Sequence, residues 1–198
     1  MSPIIQTILS SSKTRPEGSV LSPKEFLGHN TRAAVDQAFT RLTRSGKLIR
    51  VGRGTYVAPV SGRFGTRPPT SEAVIKSIVV KKGEEVATNG AAAANALGLT
   101  TQVPVQEVFV TSGRNHTLKL GKRTIMFKHA PHWQMTFGNR PAGMAVRALA
   151  WMGQAHAQET LAKIREKLPK EEWKAMVASR AAYPEWIAKL LGEANQLG

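Results

Sequence analysis

Cysteine is absent from the 198 residues. That excludes disulfide frameworks, thiolate metal sites and thiol nucleophiles, and it agrees with a reducing cytoplasm. No apolar run approaches the roughly twenty residues that a membrane-spanning helix needs. Met1 to Ser12 has too short an apolar stretch and no basic lead-in for a signal peptide, so a cytoplasmic location is expected. Acidic residues are scarce: 13 Asp and Glu against 28 Lys and Arg leave a net charge of +15. Ten basic against three acidic residues give +7 over 1–66, nine against four give +5 over 67–132, and nine against six give +3 over 133–198. Such an excess favours a polyanionic partner and salt-sensitive association. An anionic membrane surface is the competing polyanion, but no lysine-rich amphipathic helix with an aromatic insertion face is present.

Catalytic signatures are missing too, and the chain is not expected to be an enzyme. There is no Gly-x-Ser-x-Gly elbow, and the carboxylates are scattered without a pair inside an apolar run. Gly121-Lys122-Arg123-Thr124 lacks the upstream glycine of a phosphate loop and falls in a predicted hairpin turn. His129 and His132 have a spacing that suits two metal ligands, yet no nearby carboxylate supplies a third, and Pro131 disfavours a regular helix there. Neither a metal nor a cofactor is expected.

What is present concentrates between Ser22 and Pro59. Ser22-Pro23-Lys24-Glu25 has a hydroxyl at a helix N-cap, proline at the first helical position and a carboxylate at the third, a capping box. A short helix starting there carries Phe26 and Leu27 inward, Gly28-His29-Asn30 breaks it, and Thr31 caps a second helix reaching about Ser45, before Gly46. Val35, Ala38, Phe39 and Leu42 share one face of that helix; Ala33, Gln37, Thr40, Arg41 and Arg44 share the other. Small and amide side chains can approach base edges, and arginines can reach phosphates. Leu48 to Val51 and Thr55 to Val57 are β-prone runs joined by Gly52-Arg53-Gly54, which leaves Arg53 at a hairpin tip. The order is that of a winged helix-turn-helix on duplex DNA. Asn30, Arg32 and Gln37 are the expected base or near-base contacts; Arg41, Arg44, Lys47, Arg50 and Arg53 are the expected phosphate and wing contacts.

The expected fold is α+β, with the winged helix-turn-helix followed by a mixed α/β segment and a helical C-terminal region. Ile4, Ile5, Ile8 and Leu9 space as the inner face of a first helix, and Ser10 to Gly18 reads as a polar loop. Residues 1–60 form the first domain, 61–69 with its Pro-Pro pair the linker, and 70–198 the second domain, with Thr70 capping its first helix. Within 70–132 the expectation is a helix ending near Gly83, strands at 85–88 and 107–111, an alanine-rich helix at 91–97 and a hairpin around Gly121. Helices follow from about 141, at 142–153, 157–167, 170–181 and 184–194, with Pro169 and Pro184 at two breaks.

Asn95, Thr100, Thr101 and Gln102 offer polar groups to a ligand or an RNA, or serve as turn residues around a closely packed helix. Lys119, Lys122, Arg123 and Lys128 form a second candidate nucleic-acid surface, or in part the wet side of a strand. Trp133, Trp151, Trp173 and Trp186 are expected in a helical core with residues such as Leu161, Ile164 and Leu191, or, where exposed, in a contact.

Two blocks carry a family resemblance. One is Ala34-Val35-Asp36-Gln37-Ala38-Phe39 with Arg41-Leu42, Gly46-Lys47-Leu48 and Arg53-Gly54-Thr55-Tyr56; the other is Asn89-Gly90, Ala94-Asn95, Leu97 through Pro104 and Val110-Thr111-Ser112-Gly113. Through them the whole chain resembles the AbiEi-type antitoxins of type IV toxin–antitoxin systems of phage defence. The resemblance implies an N-terminal winged helix that represses its own operon, binding inverted repeats at its promoter, with two copies on the DNA as one arrangement. It also implies a C-terminal domain that counters a nucleotidyltransferase-like toxin without a stable complex. The alternative is an accessory nucleic-acid-binding protein without sequence preference.

Overall fold

Pro3 needs no N–H partner at the first helical position, and the computed structural model of the chain, which describes residues 2–28, 30–63 and 65–196, starts helix α1 (Pro3–Thr14) there. The helix continues through Thr14, five residues into the segment expected as a loop. Hydroxyls stabilise that extra turn by bonding back to helix carbonyls: Ser10 to Thr7 at 3.0 Å and Ser12 to Leu9 at 2.8 Å.

By its contacts the chain divides into two compact units, residues 1–84 with 116–126, and residues 85–115 with 127–198. In the first unit, Leu21 forms an antiparallel bridge with Tyr56, exchanging backbone hydrogen bonds of 2.8 and 3.0 Å. Ser22 leads into a 3-10 turn, Pro23–Phe26, and the Glu25 carboxylate accepts the Ser22 N–H at 2.6 Å. Helix α2 (Arg32–Arg44) begins where the Thr31 hydroxyl accepts the Ala34 N–H. The expected break before it includes His29, which lies outside the described residues. Strands β1 (Ile49–Gly52) and β2 (Thr55–Val57) form an antiparallel hairpin with Ile49 opposite Val57. Ile4, Ile8, Leu21, Phe26, Val35, Phe39, Leu42 and Leu48 close a core over which Phe39 meets Phe26 edge-on at 5.7 Å.

Residues 61–69, expected as a linker, hold most of a second hairpin: β3 (Val60–Gly62) and β4 (Gly65–Arg67), paired antiparallel. Helix α3 (Ser71–Lys82), capped by Thr70 and ended by Gly83 at φ 64°, belongs to the first unit. The Val20 N–H donates to Ser77 Oγ at 2.8 Å, and Lys81 Nζ donates to the Val20 carbonyl. Gly18, at φ +77°, lies so close to Ala73 that a β-carbon would come within 2.6 Å of its backbone, so only glycine fits.

The remaining strands are β5 (Val86–Thr88), β6 (Glu107–Thr111), β7 (His116–Leu120) and β8 (Arg123–His129), in the sheet order β5-β6-β8-β7. β7 joins the first unit, where Leu118 Cδ2 lies 3.2 Å from where a β-carbon on Gly52 would be. Gly52 is therefore small for a close approach, and Gly54, at φ 63°, takes the positive-φ position of the β1–β2 turn.

In the second unit Asn89 caps helix α4 (Gly90–Ala96) by accepting the Ala92 N–H at 2.8 Å. Pro131, expected to disfavour a helix, caps the one-turn α5 (His132–Met135), because proline is tolerated where no N–H is needed. Helices α6 (Pro141–Met152), α7 (Ala157–Lys167), α8 (Lys170–Ala178) and α9 (Glu185–Gln196) follow. α8 stops short of the expected 181, and a 3-10 turn at Arg180–Ala182 precedes Pro184. Ala142, Val146, Leu149, Leu161, Ile164, Met176, Ile187 and Leu191 form the buried centre. Trp133, Trp173 and Trp186 pack partly buried against it, whereas Trp151 is 44% exposed.

Candidate nucleic-acid interface

Folding redistributes the charge. The first unit gathers seventeen Lys and Arg against five Asp and Glu, a net +12, while the second has eleven against eight, a net +3. The charge that runs diffusely along the chain thus becomes one strongly cationic body, because the basic hairpin of β7 and early β8 returns to the first unit.

Within that body α2 turns Val35, Ala38, Phe39 and Leu42 inward and leaves Ala33, Gln37, Thr40, Arg41 and Arg44 exposed. Asn30, Arg32, Lys47, Arg50 and Arg53 are exposed as well. One residue of this face was missed: Asp36 is exposed and accepts a 2.8 Å hydrogen bond from Arg32 Nε. The i,i+4 spacing was the available signal. Asp36 draws Arg32 along the helix, and beside Gln37 it provides an acceptor able to take a cytosine amino group.

A groove of about 460 Å³ brings Arg32 together with Arg53 and Gly54 of the β1–β2 turn, and also with Lys24, Lys81 and Lys82. The three lysines were not read as site residues. Lys81 and Lys82 close α3, where a helix C-terminus favours cations, and their convergence on α2 depends on the Gly18–Ala73 approach. Glu25 accepts a hydrogen bond from Lys81 of this cluster. Burial disfavours its charge, but hydrogen bonds from Lys81, Arg15 and the Ser22 N–H outweigh it and hold the carboxyl below its ordinary 4.5.

At the other end of α2, a second groove of about 500 Å³ is lined by Lys13 and Arg15, by Gly46 and Lys47, and by Ser61 and Thr66 of the β3–β4 hairpin. The two grooves place basic side chains at both ends of the exposed α2 face. This arrangement suits a rod-like polyanion laid across the helix.

The second basic cluster divides. Lys119, Lys122 and Arg123 lie exposed in the first unit, whereas Lys128 belongs to the second. Leu118 and Leu120 are buried, so alternation points Lys119 away from Gly52 and the β1–β2 turn. In the second unit, Asn95 Nδ2 donates to the carbonyls of Thr100 and Gln102 at 3.4 and 3.0 Å, and the Gln102 N–H donates to Thr100 Oγ1. Asn95 and Thr100 therefore brace their own loop, and only Thr101 and Gln102 of that set are exposed. The His129 ring engages the Gly113 carbonyl through Nδ1 at 2.9 Å. Among the described residues no helix is long and apolar enough to cross a membrane.

The model of a family described as "Family of unknown function (DUF6088)" matches residues 7–176. No curated protein and no solved structure matches the chain. Because the match covers most of its length, the chain belongs to the DUF6088 family.

Proposed function

We propose that this chain is a transcriptional autorepressor that binds duplex DNA through an N-terminal winged helix-turn-helix, and the antitoxin of a type IV toxin–antitoxin pair. The observation that carries the DNA-binding half is the exposed face of α2, with Gln37 at its middle, flanked at both ends by cationic grooves in a unit of net charge +12. The element order supports the finer reading: α1, the Leu21 bridge, the 3-10 turn, α2 and an arginine-tipped hairpin. α2 serves as the recognition helix and β1–β2 as the wing. The mixed segment and the helical C-terminal region form the part that counters a nucleotidyltransferase-like toxin, supported by the resemblance of the block from Asn89 to Gly113. The protein acts in the cytoplasm, needs no cofactor, catalyses no reaction, and binds inverted repeats at its own promoter, two copies on the DNA being one arrangement.

Binding of the full chain to DNA from upstream of its gene, against a scrambled duplex across a salt series, tests the repressor. A repressor prefers its own site by about a thousandfold or more at physiological salt. Co-expression with a neighbouring nucleotidyltransferase-like gene tests the antitoxin, which restores growth that the toxin alone arrests. The exposed Lys119, Lys122 and Arg123, of which Lys119 points away from the wing, favour a second reading as a sequence-indifferent nucleic-acid binder; equal, purely salt-controlled binding to both duplexes supports that reading instead.

A further inference from the structure

The β3–β4 hairpin is anchored firmly at its base, and Arg63 at its far end is exposed. Its strands have three residues each, pair among the described residues only with each other, and leave every described residue from Ser61 to Arg67 exposed. So short a ribbon does not hold its form unaided in water. The base supplies what the pairing lacks. Arg67 makes a two-pronged ion pair with Glu17, Nη1 to Oε1 at 3.0 Å and Nη2 to Oε2 at 3.3 Å, and Nη1 also reaches the Pro68 carbonyl. Glu17 accepts the Thr70 N–H as well, at 3.0 Å. Both contacts lower the Glu17 carboxyl below its ordinary value. At the far end, Gly65 takes φ 108° to close the turn, and Arg63 is exposed with no hydrogen bond or ion pair among the described residues. In a body already at net +12, another unpaired cation raises self-repulsion unless a polyanion meets it.

Position supplies the second argument. The Arg53 tip stands at the first turn of α2, and the base of the β3–β4 ribbon stands beyond its last turn, next to Lys13 and Lys47. Two arginine-bearing hairpins therefore bracket a helix about 20 Å long. Strands of three residues carry the ribbon tip roughly 10 Å beyond its base. A helix in the major groove has a phosphate wall on each side and a minor groove beyond each wall, and a narrow minor groove attracts an arginine.

We infer that the β3–β4 ribbon is a second DNA-binding arm, whose Arg63 enters the minor groove flanking the site read by α2 while Lys13 and Lys47 hold the intervening phosphates. This rests on the DNA-binding reading above and assigns it a contact outside the wing.

The test uses the full chain and duplex DNA from upstream of its gene, with hydroxyl-radical footprinting and a salt series on wild type, Arg63→Ala, Arg63→Lys and Gln37→Ala. Arg63→Ala is expected to fold normally by circular dichroism, to lose minor-groove protection on one flank only, and to lower the salt slope by about one. Its affinity deficit then shrinks about three- to fourfold between about 50 and 200 mM salt. Replacing the flank by an A-tract should strengthen wild-type binding and leave Arg63→Lys indifferent, since lysine restores the charge without the planar fork. A wild-type footprint and slope in Arg63→Ala, with discrimination lost in Gln37→Ala, overturns the arm and leaves the repressor standing. Wild type that neither protects nor prefers its own upstream DNA overturns both.

Discussion

Gly90 lies against Arg147 so closely that a β-carbon on it would come within 2.6 Å of the Arg147 carbonyl oxygen, and within 2.5 Å of Trp151 Cβ. The near-absence of side chains at Gly90, Ala93 and Ala94 is what lets α4 pack on Ala148 and its neighbours in α6. Gly90→Ala is therefore expected to destabilise the protein by about 1–3 kcal/mol through overpacking, despite alanine's better helix propensity. Gly192, inside α9 with nothing within 4 Å of its β-carbon position, provides the opposite case. Gly192→Ala should stabilise by about 0.5–1 kcal/mol. Urea denaturation midpoints of the two variants should move in opposite directions.

Local chemistry was legible in the sequence where caps and breakers act within one turn. Thr31 and Thr70 accept N–H groups as the expected caps, Gly83 ends α3, and Pro141 starts α6. Distant approaches were not legible. Nothing local pairs Gly18 with Ala73 or Gly52 with Leu118, and those contacts attach α3 and the β7 hairpin to the first unit. The exposed face of α2 followed from its period, whereas the lysines of its flanking groove come from elements that only folding brings alongside it. The β3–β4 hairpin was hidden because its segment carries a Pro-Pro pair and little apolar patterning, and Arg67 is held by Glu17, fifty residues earlier.

Arg147 is 1% exposed, and among the described residues its one side-chain hydrogen bond runs from Nη1 to the Gln134 carbonyl at 2.8 Å, with no partner there for Nε and Nη2. Burial pushes its pKa down to about 10, so the guanidinium still carries its charge at neutral pH, uncompensated. Arg147→Met keeps much of the volume and removes the charge. Its expected effect is a gain of about 1–3 kcal/mol, seen as a higher urea midpoint. Arg147→Ala should fall below the Met variant because it leaves a cavity. A lower midpoint for Arg147→Met would show that the Gln134 bond, which ties α5 to α6, outweighs the buried charge.

Glu25 couples the stability of the first unit to pH. Its folded pKa lies below 4.5, where burial is outweighed by Lys81, Arg15 and the Ser22 N–H. A depressed carboxylate contributes stability that is fully present above the unfolded value and disappears as pH falls through the folded one. Wild type should therefore exceed Glu25→Gln in stability at neutral pH, and the gap should close in acid. Denaturation of both proteins across that range checks it. A gap of constant size would mean that Glu25 acts through the shape of its hydrogen bonds rather than through its charge.

Gln37 and Arg44 lie on the same exposed face of α2, and the proposed function gives the first the reading of bases and the second the holding of phosphate. An amide offers paired donor and acceptor atoms to a base edge, so Gln37→Ala should cost about 1–3 kcal/mol on the preferred sequence and little on random DNA. Arg44, two turns further along, is the phosphate contact of the proposed function. Arg44→Ala should weaken every duplex alike and lower the salt slope by about one. Selection of preferred sequences from a randomised pool, with salt titrations on the winners, distinguishes the two. If Gln37→Ala selects the wild-type sequence unchanged, another part of the face does the reading, and Asp36, placed beside it by its bond to Arg32, is the next residue to replace.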